Sequence, residues 1–402
     1  MRPLEGIKVV ELGSYIAIPK AARMMADWGA EVIKVEPPSG EAWRYVGKSW
    51  NFPYEPDNNP FFQAENANKR SIALNLKTTE GKQVLHQLLA TADVFLTNTR
   101  AKGLKKLGLD YEAVKEQYPR LIYAQFSGYG ETGPAKDDPG FDTAAFWARS
   151  GLLIEWGSEH APPFKPQPGF GDSACASAIL SGVLAALLGR AKTGQGEYLQ
   201  SSLYGTALWY NSNGVIMGPE ERGIRFPKTK ADYPNAISPI YQTGDGDWII
   251  TSSTTWDKHV KGFYRMLGLT EWLEDPYYLD LEETRRHLPE IIDRIQEAYR
   301  TKTTAEIVEG LKAIDMVHAK LVHPNDVTKD EQAWANGYLR ELILECGETI
   351  IVPNPPIRFG SIGELPYELA PHLGADSHEI MAELGYGEDE IEKINPNRRN
   401  ES

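Results

Sequence analysis

Cysteine is nearly absent from this chain: two in 402 residues, Cys175 and Cys346. Two thiols cannot build a disulfide framework or a cysteine-based zinc site, and such sparse usage fits a reducing, cytoplasmic setting. Histidine is scarce too, with eight residues and no metal spacing. His318 and His323 come nearest, but Pro324 and the β-like run between them argue against a shared helical face. Cations are outnumbered, 42 Lys and Arg against 56 Asp and Glu for a net charge of −14, which argues against general nucleic-acid binding. No run of about 18 apolar residues occurs, so no transmembrane helix and no membrane partner are expected. The first residues, MRPLEGIKVVE, are too charged for a signal peptide. Missing as well are the Gly-x-Ser-x-Gly elbow, His-Glu-x-x-His and the P-loop. If the chain has a nucleophile, it falls to a carboxylate, a recognised covalent catalyst.

What is present is ordinary globular composition, 41% hydrophobic and 24% charged, with length for two domains or one large domain carrying an insertion. Residues 7–11 read as a strand, 19–28 as a helix and 32–35 as a second strand. The alternation continues with a helix at 79–92, a strand at 94–97, a helix at 111–117 and a strand at 121–126. A long helix follows Asp172, then a strand at 198–203. This is an α/β pattern, a largely parallel sheet with helices on both faces. After about residue 218 the rhythm changes. Residues 239–243 and 248–252 flank Gly-Asp-Gly-Asp as a hairpin, and helices are expected at 256–267, 289–300 and 304–313. From about residue 330 two more strands and a helix at 377–384 follow, then a polar tail, 395–402. The expected domains are 1–218, a smaller α+β domain at 219–329, and 330–402 returning to the first.

Three stretches bear on chemistry. Gly171-Asp172-Ser173 opens an apolar helix, so Asp172 is expected at a helix mouth, where unpaired N–H groups favour an anion; the plain alternative is an N-cap. Asn98-Thr99-Arg100 through Lys106 holds four cations in nine residues, with Lys69, Arg70 and Lys77 upstream. In an acidic chain that is either a solvated face or a polyphosphate site. Gly128 to Gly133 matches the dinucleotide spacing, but Pro134 and Pro139 leave no helix to receive a pyrophosphate. The first strand–helix turn has one glycine, Gly13. Both points disfavour an NAD-dependent dehydrogenase.

Several segments together resemble the class III coenzyme A transferases, the family of formyl-CoA:oxalate and carnitine CoA-transferases. They are LEGIKVVEL at 4–12, ADWGAEVIKVEP at 26–37, NKRSIALNLK at 68–77, GDS at 171–173, KTGQG at 192–196, LGADSH at 373–378 and ELGY at 383–386. Within that family ENANKR at 65–70, PGFD at 139–142 and DEQAWANGYL at 330–339 resemble the 2-hydroxyacid enzymes that handle phenyllactate or 2-hydroxyisocaproate.

The resemblance implies a Rossmann-like large domain with an inserted smaller domain, an interlocked-ring homodimer, and CoA thioesters as substrates with no permanent cofactor and no metal. It implies that Asp172 is the nucleophile and that Ala17, Leu74, Asn75, Lys77, Asn98, Thr99, Arg100 and Lys106 contact coenzyme A. It implies transfer of coenzyme A from an acyl-CoA, such as a 2-enoyl-CoA, to a free acid such as an (R)-2-hydroxy acid in amino-acid fermentation. Pro37 stands where the family often has arginine, and the glycine-rich flap of the formyl-CoA enzyme has no counterpart in 220–260. The α-methylacyl-CoA racemases share the fold, but Phe141 stands where they use a histidine to move a proton. Amide groups around 171–174 are expected to stabilise oxyanions, and Trp147, Trp209 and Tyr210 are expected either in an acyl pocket or in ordinary core packing. A catalytically dead CoA-binding scaffold is the remaining alternative, against which the intact Asp172 argues.

Overall fold

The computed structural model describes residues 2–52, 54–158, 161–363 and 367–395. The tail from 396 onward lies outside the described residues. The chain divides into two compact units, one of 1–150, 165–212 and 331–402, the other of 151–164 and 213–330. Residues 151–164, expected in the first domain, cluster with the second unit.

The first unit is built on six strands: β1 (Lys8–Leu12), β2 (Glu31–Glu36), β3 (Arg70–Ala73), β4 (Val94–Thr97), β5 (Ile122–Ser127) and β6 (Tyr198–Ser202). Their order is β3-β2-β1-β4-β5-β6 and every pairing is parallel. β3 escapes the sequence reading because it is four residues long and begins on arginine. The order reverses direction between β1 and β4, and a crevice opens there at the carboxyl ends of the strands, where open α/β sheets bind ligands. One face of the sheet packs against the helix Thr79–Thr91 through Val84, Leu85, Leu88 and Leu89, all buried with Val10, Val35 and Phe95.

Two of these central strands carry charges at their core. Glu11 of β1 and Lys34 of β2 are wholly buried and bonded at 2.8 Å, and Lys69 Nζ reaches the other Glu11 oxygen at 2.7 Å. Buried charges are tolerated only when paired and hydrogen-bonded. Lys69 Nζ also donates to Pro19 O and Asn66 Oδ1, and Lys34 meets Glu41. Lys69, grouped by sequence with a phosphate site, therefore belongs to the core, and burial pulls its ammonium down to about 8. Arg70 pairs with Glu31 and Glu383.

The helix Phe170–Thr193 packs on the helix Ala17–Asp27 and on β5 and β6. Alanines 17, 21 and 22 on one side and Gly171, Cys175 and Ala176 on the other are buried; small residues let the helices approach closely. By length and composition alone this helix is long and apolar enough to cross a membrane, although it holds no unbroken run of about 18 apolar residues. Interspersed Gly and Ser hide that from a count of consecutive apolar residues. It ends at Gly194, φ +76°, the left-handed position glycine takes most readily after a helix.

The second unit holds an antiparallel sheet, β7 (Ile240–Gln242), β8 (Trp248–Ser252) and β9 (Val317–Lys320), with helices Trp256–Leu267, Leu288–Arg300 and Thr304–Ala313. Its own core gathers Tyr241, Ile249, Phe263, Trp272, Ile295 and Leu311. Asp245, in the β7–β8 turn, accepts the Thr304 amide at 3.0 Å and the Thr243 and Thr304 hydroxyls, which hold its carboxyl down to about 2. β10 (Leu339–Ile343) and β11 (Thr349–Pro353) form a hairpin in the first unit.

Candidate active site

The loops after β1, β4 and β5 enclose a cavity of about 1350 Å³. The first two are tied together: Asn98 Oδ1 accepts the Ser14 amide at 3.0 Å, and Asn98 Nδ2 donates to Ser14 O at 2.8 Å. Thr97 Oγ1 accepts the Thr99 amide at 3.1 Å, which turns the chain beyond β4. Asn98, Thr99 and Arg100 line the cavity with Asp172, and Lys102, Lys105 and Lys136 add positive charge to its wall.

The other expected coenzyme contacts lie elsewhere. Ala17 is buried at the start of its helix, and Leu74 is 1% exposed in the core, so its side chain cannot touch a ligand there. Asn75 and Lys77 are exposed in the turn after β3, where Asn75 Oδ1 accepts the Lys77 amide. Lys106 is exposed on the helix Ala101–Leu107, but Lys105 is the one that lines the cavity. Neighbouring residues on a helix point about 100° apart, so a one-residue difference changes the face.

Asp172 is not the cap of its helix. The helix starts at Phe170 with Gly169 at the N-cap, φ +101°, and Asp172 is the third helical residue. The capping carboxylate comes from a distant segment. Asp142 Oδ2 accepts the Gly169 amide at 2.7 Å, and the amides of Gly171 and Asp172 also favour its charged form, although burial leaves its carboxyl raised overall. This corrects the expectation that amides around 171–174 are available for an oxyanion: the first of them face Asp142, and Ser173 N bonds Gly169 O. Gly171 has to be glycine for the same reason. A Cβ there would stand 2.2 Å from Asp142 Oδ1 and 2.4 Å from Phe146 Cγ.

The Asp172 carboxylate accepts no hydrogen bond from the described residues and faces the cavity. Burial pushes its carboxyl up to about 7; Asp142 and Glu65 add to the rise and Lys20 opposes it. Cys175, one turn on, is fully buried and burial pushes its thiol up to about 12, which leaves it inert at neutral pH. Phe141 also lines the cavity, 59% exposed and edge-on to Tyr15 at 5.3 Å. Beside Asp172 it supplies no proton-transfer group. Trp147 is buried, Trp209 is 80% exposed and Tyr210 56%; none lines the cavity. The loop Gly128–Gly133 contributes Gly128 and Gly130 to the wall and opens no helix.

Sequence reasoning missed Asp142 as a capping group, and with it Lys20 and Glu65. A signal existed: Lys20 and Glu65 are charges on helical segments whose neighbours are mostly buried. Only the fold brings them to the Asp172 turn.

The description of CoA-transferase family III matches residues 4–377. The (R)-2-hydroxy-4-methylpentanoate CoA-transferase of Clostridioides difficile is 37% identical over 96% of this chain and 97% of its own. The cinnamoyl-CoA:phenyllactate CoA-transferase of Clostridium sporogenes is also 37% identical, over 97% of this chain and 95% of its own. Among solved structures, Rv3272 of M. tuberculosis superposes with a TM-score of 0.82 at 26% identity, covering 94% of this chain and 98% of that one. A CAIB/BAIF family protein from Brucella suis gives 0.78 at 28% identity, covering 95% and 99%.

Proposed function

The chain belongs to CoA-transferase family III and is a CoA-transferase acting on CoA thioesters, and from that premise we propose that it moves coenzyme A from an acyl-CoA, such as a 2-enoyl-CoA, to an (R)-2-hydroxy acid through Asp172. The substrate class rests on the 37% identity to two enzymes named for 2-hydroxy acids. The nucleophile rests on one observation: Asp172 is a carboxylate unbonded by the described residues, at a cavity whose wall also holds Arg100, Lys102 and Lys105. Those cations suit the phosphates of the coenzyme. Of the expected contacts, Asn98, Thr99 and Arg100 line the same cavity as Asp172, which supports reading them as the direct ones.

The chemistry follows from a carboxylate nucleophile. An Asp172 oxygen attacks the thioester carbonyl carbon, the C–S bond breaks, and coenzyme A leaves as thiolate from a mixed anhydride. The thiolate attacks the aspartyl carbonyl, releasing the donor acid and leaving an aspartyl-CoA thioester. The acceptor carboxylate attacks that carbonyl and expels the thiolate, which then attacks the acceptor's own acyl carbon. Asp172 returns as carboxylate and the new thioester departs. The anhydrides lie above the thioesters in energy, but the overall exchange converts one thioester into another, so it is nearly balanced. Water must be kept from both intermediates, since either would hydrolyse.

We read the working form as a homodimer. Leu188 is 69% exposed and Trp209 80% exposed on helices beside the sheet, apolar surface that a second copy would cover.

The test is chemical trapping. During turnover with an acyl-CoA and 2-hydroxyisocaproate or phenyllactate, borohydride or hydroxylamine should modify Asp172, and Asp172→Ala should bind coenzyme A without transferring it. Full turnover by a folded Asp172→Ala protein would reject the nucleophile. Rapid α-deuterium incorporation into a 2-methylacyl-CoA without CoA exchange would point to racemisation instead.

A further inference from the structure

Lys20 occupies an electrostatically awkward place. Its Nζ donates to Ser173 Oγ at 2.8 Å, in the first turn of the helix that carries Asp172. The N-terminal end of a helix carries partial positive charge and repels a cation. Ser173 Oγ in turn donates to Gly169 O at 2.7 Å, so the ammonium is fixed to that turn. From the other side Lys20 Nζ pairs with Glu65 Oε1 at 3.2 Å, a carboxylate 7% exposed. The other Glu65 oxygen is buried without a hydrogen bond from the described residues.

What offsets the repulsion is an excess of carboxylates. The charges of Asp142, from the segment Asp142–Ala148, and of Glu65, from the helix Pro60–Asn66, both raise the Asp172 carboxyl, and Lys20, from the helix Ala17–Asp27 and bonded to the adjacent Ser173, lowers it. Each of the two carboxylates disfavours ionisation of Asp172, as does its burial. A protonated Asp172 is a poor nucleophile. Without a nearby cation its carboxyl would rise further and hold its proton to higher pH.

We propose that Lys20, held by Ser173 and Glu65, is a positioning residue that keeps Asp172 ionised for attack on the thioester. This rests on the reading of Asp172 as nucleophile. Glu65 holds the ammonium and also acts on Asp172 through its own charge, so its removal has two opposed effects and the test is made at Lys20 itself.

The experiment is a pH profile of kcat/KM with one acyl-CoA and one 2-hydroxy acid, for wild type, Lys20→Met, Lys20→Gln and Lys20→Arg. It is paired with an infrared titration of the Asp172 carboxylate, taken as wild type minus Asp172→Asn. Lys20→Met should move the acid limb up by roughly one pH unit, the effect expected from losing an adjacent opposite charge. Lys20→Arg should leave it near its wild-type place, and Lys20→Gln should move it up as Lys20→Met does. The infrared band should shift with the limb. An unmoved limb in folded Lys20→Met would overturn the role of Lys20. If Lys20→Met does not fold, the limb of Lys20→Gln decides by the same criterion. Transfer surviving in Asp172→Ala would instead sink the underlying nucleophile reading, an outcome independent of the limbs.

Discussion

A carboxylate that must both attack and be buried carries a cost visible in stability. Asp172 titrates near 7 in the folded chain against 3.8 for an ordinary aspartate, with burial as the first cause. Its folded state holds the proton more tightly, so stability falls as pH rises from about 4 to about 7 and stays lowered above that. Asp172→Asn removes the charge while keeping the shape. We expect it to be more stable than wild type at pH 8, by at most about 4 kcal/mol from the full shift and by less where cavity water solvates the ion. The gain should vanish near pH 4. Thermal denaturation of the two proteins at both pH values checks this; an equal difference at both would mean that Asp172 is not the group titrating. Stability gained by disabling a site residue is a common trade-off in enzymes.

At the scale of elements, the first turn of the helix Phe170–Thr193 is shaped by a partner far away in sequence. Asp142 supplies the cap, Gly171 leaves room for it, and the Asp172 carboxylate is not used to cap its own helix. An Ala at 171 would drive a methyl group into Asp142 and the ring of Phe146, both buried. Gly171→Ala should cost roughly 1–3 kcal/mol, the usual range for overpacking, and should lower turnover because Asp142 has to leave the Gly169 amide. Urea denaturation and a transfer assay measure the two effects. Retained stability with full activity would show that the turn has slack. The same helix geometry explains why Lys105, not Lys106, meets the cavity: the charge cluster was legible, but its phase on a short helix was not.

For the whole molecule, the exposed Leu188 and Trp209 and the outer face of the long helix are too apolar to leave unexplained in a chain of net charge −14. Light scattering should return a mass near twice 44.9 kDa. A monomer with undiminished transfer at micromolar concentration would remove the dimer reading and leave the apolar face without an occupant.

Much of this was readable in order along the chain. The strands β1, β2, β4 and β5 announce themselves as β-branched runs, and the helices Trp256–Leu267 and Thr304–Ala313 by their apolar spacing. Local periodicity reports which face of an element is buried, and that is enough for an α/β class. The family segments, including Gly171-Asp172-Ser173, were likewise present as sequence. Tertiary structure alone decided what surrounds Asp172. Asp142 lies 30 positions before it, Glu65 over a hundred and Lys20 over a hundred and fifty, and no local pattern links them. Nor could composition separate Lys69, locked on Glu11 inside the sheet, from Arg100 at the cavity wall. Both are cations in basic stretches, and only burial and partners, which depend on the fold, assign one to the core and the other to the site.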